Sequence, residues 1–187
     1  MTTGLPLTTR KVLHVGCGRQ DPQALHEVFR TQQWTEIRLD IDPSVKPDIV
    51  ASLTDMSHVA SGSVDAIWSS HNIEHLFAHE VPVAFREFWR VLKPGGFVLL
   101  RMPDLQAAAE QVARGNIEEP VYISPAGPIC PIDMIYGYRP FHAQGNLFML
   151  HRTGFTAKTL EKKLTEAGFA NVLVQRSDWD LWARGYR

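Results

Sequence analysis

Short apolar runs alternate with helically spaced segments along the chain. Strand-like runs lie at 11–15, 35–39, 47–51, 63–69, 97–102 and 171–175, and the tryptophan-rich tail is a candidate for another. Apolar positions with helical spacing recur at 81–92, 104–113 and 156–167. Because parallel neighbouring strands need crossover connections, this alternation predicts a doubly wound, mainly parallel α/β sheet with helices on both faces.

Turn residues separate these elements. Gly16 and Gly18 end the first apolar run, and Asp21 with Pro22 then has the pattern of an N-cap followed by proline in the first helical turn. The beginning of the chain is therefore predicted to be strand, turn, helix. Ligands of such sheets bind outside the carboxyl ends of the strands, so the glycine turn should lie in the binding edge.

Residues 115–153 show neither strand-like nor helical spacing of apolar residues. They contain five prolines among glycines and aromatic side chains. A stretch of that length without clear elements is typical of a lid or a binding segment. A purely structural excursion is the alternative.

Length and charge limit the classes of protein that are possible. With 187 residues and 44% hydrophobic composition, the chain can bury one good core, and we expect a single domain over 1–187. The net charge of −1 provides no electrostatic footprint for a long polyanion, so nucleic acid is not an expected partner.

The first ten residues, MTTGLPLTTR, lack the basic and apolar regions of a signal peptide. The sequence contains no run of about 18 apolar residues, so no membrane span is predicted. Cys17 and Cys130 do not form a disulfide framework and suit a reducing compartment. We therefore expect a soluble cytoplasmic protein that does not associate with membranes.

The glycine turn differs from a dinucleotide-binding loop. Its third glycine position is Asp21, whose carboxylate would compete for the backbone N–H groups and repel a diphosphate. Asp40, 22 residues beyond Gly18, ends the second strand, where a carboxylate can accept hydrogen bonds from both hydroxyls of a ribose. Capping of the strand turn is the alternative role for Asp40. The pattern favours a nucleoside ligand without a phosphate, such as S-adenosylmethionine.

Several blocks of the sequence resemble the class I S-adenosylmethionine-dependent methyltransferases, specifically their small, type 11-like members. The blocks are VLHVGCG, IRLDIDP, VDAIWSSHNIEHL, FREFWRVLKPGGFVLLRMPD and LEKKLTEAGFANV. They occur in the family order and span residues 11–174. The resemblance implies a seven-stranded sheet with one antiparallel strand near the carboxyl terminus, and S-adenosylmethionine as the cofactor.

The resemblance also implies a set of cofactor-binding positions, with the adenine contact in the segment after the third strand. The set is Val15, Gly16, Cys17, Gly18, Asp40, Ile41, Leu53, Thr54, Asp55, Met56, Ser70 and His71. Two positions depart from the family pattern. His14 stands where an acidic residue is usual, and Gln20 stands where a further glycine is usual.

The segment from His71 to His75 matches the H-x-x-E-H pattern of inverted zinc peptidases. That chemistry needs both histidines on one helical face, a glutamate base and a third protein ligand. The strand-like run before His71 places that residue at a strand end instead, and Pro82 follows soon after. We expect no metal site, and a zinc-dependent hydrolase is the less favoured alternative.

The favoured function is methyl transfer from S-adenosylmethionine to a small-molecule acceptor, with 115–153 as the acceptor-side lid. If the acceptor must lose a proton, histidines near the sheet edge or in that segment are the natural bases. The candidates are His71, His75, His142 and His151, with Tyr136 as an orienting hydroxyl; each has a structural role as its alternative. A non-catalytic, regulatory S-adenosylmethionine-binding protein is the second hypothesis. Cys17 is not expected to act as a nucleophile, since a residue in a glycine turn is usually selected for small size.

Overall fold

The computed structural model describes residues 9–187, which form nine strands and five α-helices. The strands are β1 (Arg10–Val15), β2 (Trp34–Asp40), β3 (Ile49–Val50), β4 (Val64–Ser70), β5 (Leu92–Pro103), β6 (Tyr122–Ser124), β7 (Gly127–Ile129), β8 (Ala170–Ser177) and β9 (Asp180–Tyr186). The helices are α1 (Val81–Val91), α2 (Leu105–Ala113), α3 (Pro131–Tyr136), α4 (Arg139–Ala143) and α5 (Ala157–Glu166). The strands and the three long helices predicted from the apolar pattern are confirmed.

Seven strands of the described chain form one sheet in the order β3-β2-β1-β4-β5-β9-β8. All neighbouring pairs from β3 to β5 are parallel, whereas β9 is antiparallel to both β5 and β8. This confirms the doubly wound α/β sheet and its antiparallel strand near the carboxyl terminus. Val15 is in register with Leu39 and with Ser69, so β1, β2 and β4 end together at one edge.

The main core lies between the sheet and two amphipathic helices. Phe85 and Phe88 of α1 and Leu160 and Leu164 of α5 are fully buried against it. The opposite face is aromatic, with Phe29 and Trp68 buried and three further aromatic side chains packed around them. The two cores hold the carboxyl ends of the strands in fixed positions.

The prediction of a helix after Asp21 and Pro22 is wrong. That connection consists of turns and a single 3-10 turn at Glu27–Phe29. Arg30 donates from Nε to the Leu25 carbonyl at 2.6 Å, and Trp68 donates from Nε1 to the Ala24 carbonyl at 2.9 Å. Side chains thus occupy carbonyl groups that a helix would use in its own hydrogen bonds.

Residues 115–153 are ordered and contain a small hairpin, β6–β7, followed by α3, α4 and a 3-10 turn at Leu147–Met149. Asp133 organises the segment, because its carboxylate accepts from the Cys130 backbone at 2.9 Å and from Arg139 Nε at 2.8 Å. The end of the segment is tied to the sheet edge, where Arg152 donates its backbone N–H to the Glu74 carbonyl at 2.8 Å. A single domain over 1–187 stays a prediction, and its residues 1–8 lie outside the described chain.

No helix in the described part of the chain is long and apolar enough to cross a membrane. The cytoplasmic location expected from the sequence stays a prediction. Cys17 and Cys130 are both buried free thiols.

The packing of α1 on the sheet leads to a test of stability. Phe85 is fully buried, whereas Phe77 is 49% exposed. Phe85→Ala should lower the free energy of unfolding by about 3–5 kcal/mol, because it leaves a cavity in the core. The matched variant Phe77→Ala should cost about 1 kcal/mol or less. Chemical denaturation measures both, and equal losses would contradict the assignment of α1 to the core.

Candidate functional site

A cavity opens at the edge where β1, β2 and β4 end, and we call it the glycine-turn cavity. Its walls come from the glycine turn, from the ends of β2 and β4 and from the end of the 115–153 segment. The lining residues are Gly16, Leu39, Asp40, Ile41, Ala51, Ser52, Leu53, His71, Asn72, His75, Leu76, Phe148, Met149 and Arg152. The cavity therefore occupies the position at which ligands bind to open α/β sheets.

Asn72 is packed against the glycine turn. Gly16 and Gly18 have φ values of 59° and 60°, in the left-handed region that favours glycine. A Cβ atom on Gly16 would lie 1.7 Å from Asn72 Oδ1. The Asn72 amide donates to the carbonyls of Val15 at 3.0 Å and Ser70 at 2.9 Å. Gly16 thus leaves room for a side chain that bridges the ends of β1 and β4.

Asp40 holds the other side of the turn. Its Oδ2 accepts from the Gly18 backbone at 2.8 Å, and its Oδ1 accepts from the Asp42 backbone at 2.9 Å. Arg38 donates from Nη2 to the Gly18 carbonyl at 2.6 Å. A carboxylate has about four acceptor positions, so Asp40 retains capacity for hydroxyl groups of a ligand.

The two departures from the family pattern lie together in a separate depression, which His14, Cys17 and Gln20 all line. His14 is buried, and its Nδ1 lies 2.6 Å from Glu36 Oε1 on the neighbouring strand β2. Burial lowers the pKa of His14 against the opposing effect of Glu36. The departures therefore do not alter the walls of the glycine-turn cavity.

Five of the twelve predicted cofactor-binding residues line the glycine-turn cavity: Gly16, Asp40, Ile41, Leu53 and His71. Seven do not: Val15, Cys17, Gly18, Thr54, Asp55, Met56 and Ser70. Val15 and Met56 are fully buried in the core, and Thr54 and Asp55 line a depression beside Arg90. Burial also raises the pKa of the Cys17 thiol to about 11, which fits its expected inactivity as a nucleophile.

Sequence reasoning missed part of the cavity wall. Asn72 lies within the HNIEH segment, directly after the strand-like run 63–69, and that position was the available sequence signal. Phe148, Met149 and Arg152 come from the 115–153 segment, which has no periodicity from which their location could be inferred.

A second cavity lies beside the first, and we call it the hairpin cavity because β6 and β7 contribute to its wall. Its lining residues are His71, His75, Arg101, Pro103, Tyr122, Ser124, Pro125, Ala126, Ile129, Asp133, Met134, Tyr138, Phe141, Met149 and His151. His71, His75 and Met149 line both cavities. A ligand in one cavity would thus meet a ligand in the other across these three side chains.

His71 lies between two carboxylates at the junction of the cavities. Its Nδ1 is 3.4 Å from Glu74 Oε1, and its Nε2 is 3.7 Å from Asp180 Oδ1. Burial opposes the charged form, but Glu74 and Asp180 outweigh burial and raise the pKa of His71. Both ring nitrogens therefore face protein carboxylates.

Glu74 is buried among three imidazoles, with 2% of its surface exposed. Burial alone would raise its pKa, but His71, His75 and His151 outweigh burial and lower the pKa of Glu74 to about 2. His75 Nδ1 lies 3.1 Å from the Leu150 carbonyl, and His151 Nδ1 lies 2.8 Å from the Met134 carbonyl. Burial lowers the pKa of His151.

The structure brings three of the five catalytic candidates together, namely His71, His75 and His151. Tyr136 is 60% exposed and lines an adjacent groove, and His142 directs its Nε2 to the Met149 carbonyl. Neither of these two lines the hairpin cavity.

The H-x-x-E-H segment does not form the helix that a zinc peptidase requires. His71 has a φ of 53° and follows the end of β4, and only Ile73–His75 forms a 3-10 turn. His71 and His75 therefore do not share a helical face, and the strand-end position expected for His71 is confirmed.

About half of the chain is similar to a known family of enzymes. Residues 13–100 match the family model described as "Methyltransferase domain". The fold is that of a class I S-adenosylmethionine-dependent methyltransferase. The match and the sheet order confirm the methyltransferase resemblance seen in the sequence, and the matched residues include the glycine turn, Asp40 and the histidine segment.

Solved structures share this methyltransferase fold at low sequence identity. A SAM-dependent methyltransferase from Mesorhizobium loti is 16% identical, with a TM-score of 0.63 and coverage of 98% of this chain and 94% of that one. One from Archaeoglobus fulgidus is 14% identical, with a TM-score of 0.62 and coverage of 96% and 87%.

A third structure is the 1,6-didemethyltoxoflavin-N1-methyltransferase of Burkholderia thailandensis, with bound 1,6-didemethyltoxoflavin and S-adenosylhomocysteine. It is 14% identical, with a TM-score of 0.58 and coverage of 96% of this methyltransferase-like chain and 71% of that one. A search of curated protein sequences finds no match.

The contact between Gly16 and Asn72 leads to a test with a matched pair of variants. Both glycines have positive φ, but a Cβ on Gly18 would meet no atom of the described residues within 4 Å. Gly18→Ala should cost about 1–2 kcal/mol of unfolding free energy, from backbone strain alone. Gly16→Ala should cost about 1–3 kcal/mol more, because Asn72 must move.

Denaturation measurements in an Asn72→Ala background provide the control. There the two alanine variants should lose equal stability, since the side chain that Gly16 accommodates is gone. An additional loss at Gly16 that persists in this background would contradict the role assigned to Asn72.

Proposed function

We propose that the chain is an enzyme that transfers a methyl group from S-adenosylmethionine to a small-molecule acceptor. The observation that carries the proposal is the pair of adjoining cavities at the carboxyl edge of the sheet, which share His71, His75 and Met149 as a common wall. One cavity suits a nucleoside, and the other suits an organic acceptor beside its reactive end.

The proposed cofactor position is the glycine-turn cavity. Asp40 borders it with acceptor capacity for ribose hydroxyls, and Ile41 and Phe148 present apolar surface that is 54% and 62% exposed. A flat adenine ring would cover such surface. The turn also lacks the third glycine of a diphosphate cradle, in keeping with a cofactor that carries no phosphate.

The proposed acceptor position is the hairpin cavity, with the 115–153 segment as its wall. Tyr122, Ile129, Met134 and Phe141 supply large apolar and aromatic surface, and Arg101 adds a cation. Burial raises the pKa of Tyr122 to about 12, so its phenol keeps its proton. Apolar walls with a few polar groups are typical of sites for small organic molecules.

In the proposed reaction the acceptor's nucleophilic atom forms a bond to the methyl carbon while the carbon–sulfur bond breaks. The sulfonium becomes a neutral thioether, and an acceptor that carried a proton releases it. The protein's contribution is orientation and exclusion of water. In their neutral form His75 and His151 can accept this proton at Nε2, because Nδ1 of each ring faces a backbone carbonyl.

The cofactor position is tested with Asp40→Ala. Removing the carboxylate should weaken binding of S-adenosylhomocysteine by about 1.5–3 kcal/mol, or roughly 10- to 150-fold, the scale of hydrogen bonds to a charged group. Isothermal titration calorimetry measures the change. The matched control Asp42→Ala removes an exposed carboxylate that, among residues 9–187, bonds only to Ser44. Unchanged affinity in a folded Asp40→Ala protein would remove Asp40 from the cofactor site.

The acceptor position is tested with a pair of tyrosines. Tyr122→Ala removes part of the hairpin-cavity wall and should reduce methyl transfer strongly, while cofactor affinity stays within about threefold. Tyr136→Ala is the control, since its side chain lies outside that cavity. The measurement is transfer of a labelled methyl group from S-adenosylmethionine to components of a small-molecule extract. Equal transfer by the two variants would contradict the placement of the acceptor.

A further inference from the structure

Three side chains converge where the histidine segment meets the end of the 115–153 segment. Glu74, His75 and His151 bring a carboxylate oxygen and two imidazole nitrogens within 4.8 Å of one another. The rings of His75 and His151 lie 5.0 Å apart between centroids. Ligand atoms in a tetrahedral site with bonds of about 2.1 Å are roughly 3.4 Å apart, so small side-chain rotations would close this cluster.

The carboxylate of Glu74 lacks hydrogen-bond partners. Within residues 9–187, neither of its oxygens receives a hydrogen bond, although the side chain is 2% exposed. The Nδ1 atom of His71 lies 3.4 Å from Glu74 Oε1. An ionised carboxylate without such partners is costly to bury, and a bound metal ion is one of the few partners that compensate it.

The two other histidines are oriented as metal ligands are. A carbonyl oxygen can only accept, so the contacts with Leu150 and Met134 place the protons of His75 and His151 on Nδ1. In the neutral imidazole each Nε2 then carries a lone pair. Histidines that bind metals usually donate their second ring N–H to a carbonyl or carboxylate in this way.

We propose that Glu74, His75 and His151 bind one divalent transition-metal ion. Two imidazoles and one carboxylate suit zinc, iron or cobalt, whereas magnesium and calcium prefer oxygen ligands. His75 and His151 line the hairpin cavity, so an ion held by them would lie beside the proposed acceptor position. There the ion would bind an oxygen or nitrogen of the acceptor and make loss of its proton easier. This last role rests on the proposed function, whereas the metal site does not.

The inference revises the sequence-based expectation that no metal binds. That expectation weighed His71 with His75 as the histidine pair. In the structure His71 faces Glu74 and Asp180, and the second histidine is His151, from the distant end of the 115–153 segment.

The test is titration of zinc chloride into protein that has been dialysed against a chelator, without cofactor, followed by calorimetry. One ion should bind per chain, and cobalt in its place should give the visible absorption of a low-symmetry site. His151→Ala and Glu74→Gln should each weaken zinc binding by at least about a hundredfold. The matched control His79→Ala removes an exposed histidine outside the cluster and should leave binding unchanged.

Folding of each variant is checked by circular dichroism. If Glu74→Gln does not fold, His75→Ala takes its place with the same expectation. The inference is overturned if folded wild-type protein binds neither zinc nor cobalt, or if His151→Ala binds zinc as wild type does.

The same samples are titrated with S-adenosylhomocysteine, which separates the two proposals. Cofactor binding without metal binding would overturn the metal site and support the methyltransferase proposal. Metal binding without cofactor binding would support the metal site and contradict the methyltransferase proposal.

Discussion

The side chain of Asn72 connects the ends of the two central strands, and the arrangement of both cavities depends on that connection. Its side-chain amide donates hydrogen bonds to the carbonyls of Val15 and Ser70. The side chain also occupies the space that a Cβ on Gly16 would need. The glycine turn is thereby held on one side of Asn72, and the histidine segment begins on the other. Because the amide satisfies strand-end carbonyls, the edge can be partly buried without leaving backbone groups unpaired.

The charges around the hairpin cavity depend on the buried carboxylate of Glu74, which lies two residues after Asn72. Glu74 is ionised in a poorly solvated position, and the imidazoles around it are held in turn by backbone carbonyls and by Asp180. Asp180 is further paired with Arg101 through a contact of 2.6 Å. The groups form one charged network that reaches from the histidine segment to β9, so a substitution at one member changes the environment of the rest.

Local patterns predicted the strands and the features that end them. Gly16, Asp40 and His71 could be placed at the binding edge because each directly follows a recognisable apolar run, and parallel strands end together. The prediction of a helix after Asp21 was wrong because the side chains of Arg30, nearby in sequence, and Trp68, on a distant strand, donate to carbonyls that the helix would need. Phe148 and His151 could not be located, since their positions depend on a long-range bond from Arg152 to the Glu74 carbonyl. Contacts between residues far apart in sequence leave no periodic signal.

The shared wall between the two cavities has a thermodynamic consequence. Met149 lies in the 3-10 turn Leu147–Met149, and its side chain borders both proposed ligand positions. A ligand that contacts Met149 restricts the rotation of its side chain, and whichever of the two proposed ligands binds first bears most of that entropy cost. The second proposed ligand would then meet a side chain that is already fixed, and by linkage each ligand would increase the affinity for the other by the same factor. In the proposed reaction the shared wall would favour the ternary complex over either binary complex and would limit the exposure of the sulfonium to water.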